Sequence, residues 1–187
     1  MKKEDLFIPV LLGTGRKDRQ SEHVAKYILE KVKKYGYKTQ LIDVRFLSTT
    51  ATIPSWVKSS KTKSWSKTML QADGLIVVSP EYNHGYPGEL KIFMDGIFKE
   101  YERKPVAICG VSSGGFGGAR VIEALRLYFS ELRLIAIRQA LYFANVETLF
   151  TKSGNIKDKS FDKKIQSLLD DFNFYAMALK KAREEIK

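Results

Sequence analysis

The 187-residue chain has one cysteine, Cys109, and two histidines, His23 and His84. A lone cysteine inside an apolar run excludes an internal disulfide framework and a cysteine-based zinc site. The two histidines do not supply metal-ligand spacing. No apolar stretch approaches the length of a membrane span. The N-terminal MKKEDLFIPVLLG has two lysines, then acids and a short apolar run, without an h-region followed by a small-residue cleavage site. A reducing cytoplasm is the expected location. Acids are scarce too: 21 Asp and Glu stand against 32 Lys and Arg, a net charge of +11. That excess suits nucleic acid, an acidic membrane surface or anionic small ligands, and says nothing about fold. Repeats, linkers and low-complexity segments are also missing, so residues 1–187 are expected to form one domain with a sizeable core. A hydrophobic share of 44% with 12% aromatics is a globular composition.

What is present is alternation. Leu6 to Leu12 reads as a strand, followed by a helix from Ser21 to Tyr35 with Val24, Ala25, Ile28, Leu29 and Val32 on one face and Gly36 at its end. Tyr37 to Val44 reads as a second strand with Leu41 and Ile42 buried. Trp65, Met69 and Leu70 suggest a helix ending near Ala72, before a third strand, Gly74 to Ser79, buried on both faces. Leu90, Phe93, Met94, Ile97, Phe98 and Tyr101 predict the clearest helix. A fourth strand (Pro105 to Val111), a helix (Arg120 to Leu132), a fifth strand (Leu134 to Tyr142) and a last helix from Ser160 complete the series. Five β-α units imply a parallel sheet covered by helices on both faces. Pro9 fits only at the very start of the first strand, because a central strand cannot spare its N–H. The C-terminal KKAREEIK is expected to be an exposed helix end.

In such a sheet ligands bind outside the C-terminal strand ends. The first loop there, GTGRKDRQSEH (Gly13 to His23), ends a strand and opens a helix. Its backbone, the hydroxyls of Thr14 and Ser21, and Arg16 and Arg19 suit a phosphate. It holds no G-x-x-x-x-G-K-[ST] string, and a G-x-G-x-x-G fingerprint fails at Asp18, although Asp43 can imitate the ribose-binding acid of that fold. An N-capped helix start with solvated arginines is the alternative. The second loop, SPEYNHGYPGELK (Ser79 to Lys91), combines the restriction of Pro80 and Pro87 with the freedom of Gly85 and Gly88. Rigid backbone of this kind can read the edge of a flat polar ring, with Tyr82, His84 or Tyr86 beside it. The third loop, GVSSGGFGGAR (Gly110 to Arg120), is rich in glycine. Close packing of a strand-to-helix turn can explain Gly117 and Gly118, but explains Ser112, Ser113, Gly114 and Gly115 poorly.

These loops resemble one family. Pro80, Glu81, Tyr82, Asn83, Gly85, Pro87, Leu90 and Lys91 meet the P-E-Y-N-x-G-x-P-x-x-L-K signature of the NADPH-dependent FMN reductases, which include azoreductases, quinone reductases and chromate reductases. Ser112, Gly114, Gly117, Gly118 and Arg120 resemble its S-x-G-x-x-G-G-x-R, and Gly13, Thr14 and Arg16 its G-[ST]-x-R opening. The resemblance runs from Phe7 to Asn145. It implies a flavodoxin-like α/β sandwich, a five-stranded parallel sheet of order 2-1-3-4-5, with FMN bound non-covalently and NADPH or NADH as co-substrate. Thr14, Arg16, Ser21 and His23 would hold the FMN phosphate, with Arg19 sharing it because the first loop is longer than in many members. Pro80, Glu81, Tyr82, Asn83 and Gly85 would line the flavin ring, largely through backbone, and Ser112 and Gly114 would complete the pocket. The reaction implied is hydride transfer to flavin N5, then reduction of a flavin, quinone, azo compound or metal ion at the same face, in ping-pong order. A homodimer or homotetramer is implied as well. Chemistry borne by a cofactor requires no catalytic acid or base, and none is assigned.

Three rivals differ in class. A flavin-binding electron carrier or redox sensor without turnover sits badly with the positive charge. Nucleic-acid binding through Lys58, Lys61, Lys63 and Lys67 lacks any recognised motif. An NAD-binding dehydrogenase fails at Asp18 and leaves the second loop unexplained. The lysine- and serine-rich segment 56–67 has no role in the flavin reading.

Overall fold

The computed structural model describes residues 2–46 and 50–186. Five parallel strands, β1 (Val10–Leu12), β2 (Leu41–Asp43), β3 (Leu75–Pro80), β4 (Pro105–Val111) and β5 (Ile135–Phe143), form one sheet in the order β2-β1-β3-β4-β5. This is the flavodoxin-like topology expected. Strand pleating sends alternate residues to opposite faces. Val10, Leu12, Ile76, Val78, Ala107 and Cys109 enter one core, while Leu11, Leu75, Val77, Val106 and Ile108 enter the other. Helices α1 (Ser21–Tyr35) and α6 (Ser160–Glu185) cover the first core, through Val24, Ile28, Leu168 and Phe172. Helices α2 (Ser60–Gln71), α3 (Gly88–Asp95) and α4 (Ala119–Glu131) cover the second, through Trp65, Met69, Leu90, Met94, Ile122 and Leu125. A one-turn helix, α5 (Val146–Leu149), follows β5 directly.

Several expected boundaries move, each for a physical reason. The first strand begins only at Val10, because Pro9 has no N–H. Its carbonyl still accepts from Ile76 at 3.1 Å, so the ladder loses only the donor. The second strand shrinks to Leu41–Asp43 at the sheet edge, where Leu41 and Ile42 are half-buried rather than buried. The helix expected through Tyr101 stops at Asp95. A Cβ on Gly96 would stand 2.7 Å from Thr62 Cγ2 of α2, and the chain leaves the helix at this close approach. Tyr101 reaches the core from a separate short turn. Its hydroxyl donates to the helix-end carbonyl of Met94 (2.9 Å) and accepts from Trp65 Nε1 (2.6 Å), satisfying two polar groups in an apolar core.

The C-terminal end of α6 is not simply solvated. Buried Asp73 accepts from the Phe7 N–H (3.0 Å) and from Lys180 Nζ (3.1 Å), and Arg183 lies 3.7 Å from its other oxygen while donating to the Arg103 carbonyl. A carboxylate at the foot of β3 needs such countercharge, and the helix end supplies it. Beside it Lys104 donates to the Met69 carbonyl; burial, with Arg183 close by, brings its amine down to about 8. Lys187 lies outside the described residues. Segment 56–67 becomes the approach to α2 and its first turns. Ser59 caps it by accepting from Lys61 N–H (3.2 Å), and Lys58, Lys61, Lys63 and Lys67 are exposed.

Candidate active site

The loops after β1, β3 and β4 meet at the C-terminal edge of the sheet, where α1, α3 and α4 begin. Between them lies a cleft of about 230 Å³, lined among others by Arg16, Ser21, Pro80, Glu81, Tyr82 and Ser112, with Val146 and Glu147 from α5 closing one side. No group of three or more His, Cys, Asp and Glu among the described residues is placed to hold a metal ion, and no described helix is long and apolar enough to cross a membrane.

Ser21 is the first residue of α1 and only 2% exposed, yet its Oγ has no hydrogen-bond partner among the described residues. Gln20, at the N-cap, makes no side-chain capping hydrogen bond among the described residues. An unpaired buried hydroxyl costs free energy unless a ligand completes it, and a helix start favours an anion. Arg16 stands exposed beside it, its guanidinium 5.7 Å from the Tyr82 ring centroid. These groups fit a phosphate.

Three expected phosphate ligands are placed otherwise. Thr14 is fully buried. Its hydroxyl donates to Glu89 Oε1 (2.8 Å) and lies within hydrogen-bond distance of Arg16 N–H (3.2 Å) and the Tyr82 hydroxyl (3.1 Å), so no proton is left for a phosphate. Arg19 is also buried. Its guanidinium is held by both carboxylate oxygens of Asp43 and by the Thr14 carbonyl, which commits Asp43 as well and removes it as a ribose ligand. His23 stacks on Phe150 (5.7 Å, 26°) and borders a separate groove with Lys26 and Lys159. Residues two apart on an α-helix point about 200° apart, so a cleft-facing Ser21 turns His23 away.

The second loop is a two-residue hairpin. Tyr82 and Gly85 exchange N–H···O bonds of 2.9 Å, and Asn83 and His84 take φ of +49° and +65°. This is a type I′ arrangement, in which both central residues need positive φ. The unusual angles expected of Gly85 and Gly88 thus fall on Asn83 and His84, which are exposed outside the cleft wall. Tyr86 stacks on Tyr128 of α4 (5.4 Å, 24°). Glu81 commits its carboxylate to the start of α4: it accepts from Arg120 Nη1 (2.9 Å) and from the N–H groups of Arg120 (3.1 Å) and Val121 (3.3 Å). In the third loop Ser112 Oγ donates to the Gly114 carbonyl (2.8 Å). A Cβ on Gly114 or Gly115 would meet nothing within 4 Å, whereas Gly117 and Gly118 have positive φ and no room. The bare backbone at Gly114 and Gly115 suits the close approach of a flat ligand; close packing accounts for the other pair.

Sequence reasoning missed Glu89. It stands in the first turn of α3, and its Oε1 also accepts from Gly15 N–H (2.9 Å), pinning the first loop to α3. Its only sequence signal is an acid two residues after Pro87. Burial works against its ionisation, but hydrogen bonds from its own N–H, Gly15 and Thr14, with the charge of Arg19, outweigh that and hold the carboxyl below its ordinary value. Glu81 is lowered in the same way, burial being outweighed by Arg120 and the α4 N–H groups. A lowered folded pKa gives stability that is fully present above the unfolded value, about 4.3 for glutamate, and is lost as pH falls through the folded value. Urea unfolding at a series of pH values will therefore show wild type losing stability below about pH 4.3 more steeply than Glu89→Gln, which is already weakened at neutral pH. Identical slopes would refute the pinning role.

The comparisons with known proteins agree with this geometry. The NADPH-dependent FMN reductase family matches residues 8–148. The NAD(P)H-dependent FMN reductase of Saccharomyces cerevisiae is 28% identical over 148 residues, covering 70% of this chain and 76% of the yeast protein. The 2-hydroxy-1,4-benzoquinone reductase of a Burkholderia species is 26% identical over 173 residues, covering 89% and 94%. In fold the chain resembles the flavoenzyme NAD(P)H:(acceptor) oxidoreductase of Paracoccus denitrificans, with a TM-score of 0.77 at 18% identity, covering 92% of this chain and 98% of that one. The flavodoxin-like sheet, the cleft at its C-terminal edge and the match over residues 8–148 lead to one assignment: the chain belongs to the NADPH-dependent FMN reductase family, enzymes of NAD(P)H and FMN oxidoreductase chemistry acting on small acceptors.

Proposed function

We propose that this enzyme oxidises NAD(P)H and reduces a small aromatic acceptor, a quinone foremost, with both substrates using one flavin face in turn. The observation that carries the site is the unpaired Ser21 hydroxyl, buried at the start of α1 in the wall of the cleft. In this reading Ser21, Arg16 and the α1 N-terminus hold the FMN phosphate. Backbone at Pro80, Glu81 and Tyr82 and the stretch from Ser112 to Gly114 frame the ring. Thr14, Arg19, Asn83 and Gly85 act from behind, fixing the loops, and His23 takes no part. When bound, FMN would supply the two-electron redox chemistry between the nicotinamide and the acceptor. The net reaction consumes NAD(P)H, a proton and a quinone, and yields NAD(P)⁺ and a hydroquinone.

The protein's own part is to bind and orient. The Glu81–Arg120 pair ties the second loop to α4, and Glu89 ties the first loop to α3, so the cleft walls are fixed before a ligand arrives. A net charge of +11 draws anionic cofactor and co-substrate toward it. The Burkholderia relative, named for a hydroxybenzoquinone, supports the quinone reading. Initial rates with NADPH and a quinone both varied will give parallel double-reciprocal lines. Intersecting lines would mean that both substrates bind together, contrary to a shared face, and FMN-loaded protein that does not oxidise NADPH would mark a carrier instead.

A further inference from the structure

Phe116 of the third loop has no part in the flavin site described so far, and Arg120 has more donors than its pairing with Glu81 uses. Phe116 is 67% exposed, although it directly follows the bare pair Gly114 and Gly115 beyond the cleft wall at Ser113. Its ring meets no other aromatic ring among the described residues, but the Arg120 guanidinium sits 4.8 Å from its centroid. Arg120 gives Nη1 to Glu81 and leaves Nη2 and Nε without a partner among the described residues. The one Glu81 carboxylate is divided between that guanidinium and two N–H groups at the start of α4, where the helix dipole adds positive charge of its own. An exposed ring backed by a partly exposed cation with free donors is therefore joined, through Glu81, to the cleft wall.

We propose that Phe116 and Arg120 form a docking shelf for the second substrate and select flat aromatic acceptors that carry an anionic group. The ring stacks on the acceptor and the free guanidinium edge takes its anion. The proposal rests on the flavin reading above. It makes Arg120 a specificity residue as well as the partner of Glu81.

The test compares unsubstituted naphthoquinone with naphthoquinone sulfonate. The ratio of their kcat/KM values is compared between wild type and variants, so the difference in redox potential between the quinones cancels. Naphthalene sulfonate, which is flat, anionic and not reducible, gives an independent affinity by calorimetry. Arg120→Gln is expected to lower the sulfonate-to-parent ratio about tenfold, the size of one charge-assisted contact, and Arg120→Lys to restore part of it. Phe116→Ala is expected to lower kcat/KM for both quinones and to weaken naphthalene sulfonate binding, each about tenfold. An unchanged ratio in Arg120→Gln with FMN retained would overturn the proposal. So would Phe116→Ala that binds naphthalene sulfonate as wild type does while sedimenting as a smaller species, because the ring would then be covered by a second copy of the chain. Protein that never takes up FMN, yet binds naphthalene sulfonate through these two residues, would keep the shelf and reject the flavin reading.

Discussion

Replacing Ser21 by alanine will make the flavin-free protein more stable and its hold on FMN weaker. The two effects have one cause. In the free protein the buried Oγ has no partner among the described residues, a deficit of about 1–3 kcal/mol, and alanine removes it. At about 2–4 °C per kcal/mol for a domain of this size, the flavin-free unfolding midpoint should rise by several degrees. With FMN present the same hydroxyl gains a charged acceptor, a bond of about 1.5–3 kcal/mol, so its loss should raise the dissociation constant about 10- to 100-fold. Arg16→Ala separates the terms. Arg16 is exposed, so stability should stay within about 0.5 kcal/mol of wild type while FMN affinity falls and loses salt sensitivity. Thermal unfolding of the flavin-free proteins and quenching of flavin fluorescence read the two quantities. A Ser21→Ala protein that is destabilised, or that binds FMN unchanged, would show that the hydroxyl serves the fold and not a ligand.

Gly118→Ala will lower the unfolding midpoint by about 4–20 °C. Gly118 has φ +80°, and a Cβ there would lie 2.6 Å from Val111 N and 2.8 Å from Gly110 C. Both are backbone atoms of a central strand and cannot swing aside. The left-handed conformation costs an L-residue about 1–2 kcal/mol and overpacking about 1–3 kcal/mol more, a large share of a typical stability of about 5–15 kcal/mol. Gly114→Ala is the contrast, since its Cβ would meet nothing within 4 Å. It should unfold within about 0.5 kcal/mol of wild type but bind FMN less well. Equal stability loss at both positions would mean that the third loop is shaped by packing throughout.

The fold was most legible at β3 and β4, where burial is two-sided and no proline interrupts the run. β4 is read correctly from its apolar run, bounded by Pro105 and Val111, because a strand buried on both faces has an unmistakable composition. The helix through Gly96 was not legible, because the periodicity of Ile97 and Tyr101 reports burial and not helix; both are buried from outside α3. At the site, the family motifs located the three loops but not the direction of each side chain. Thr14, Arg19 and His23 are the right residue types for phosphate. Thr14 is turned inward by Glu89, seventy-five positions away, Arg19 by Asp43, and His23 by helix geometry. Such pairings exist only once the chain is folded. For the same reason the Glu81 carboxylate is aimed at α4, a contact the motif did not reveal, since the resemblance implied a role for Glu81 largely through backbone.

The central claim, an FMN site built on the α1 N-terminus, is tested most directly on the purified protein itself. It should be yellow, and heating should release a flavin that chromatography and mass identify as FMN, in stoichiometric amount after reconstitution. A colourless protein that does not take up added FMN would contradict the account.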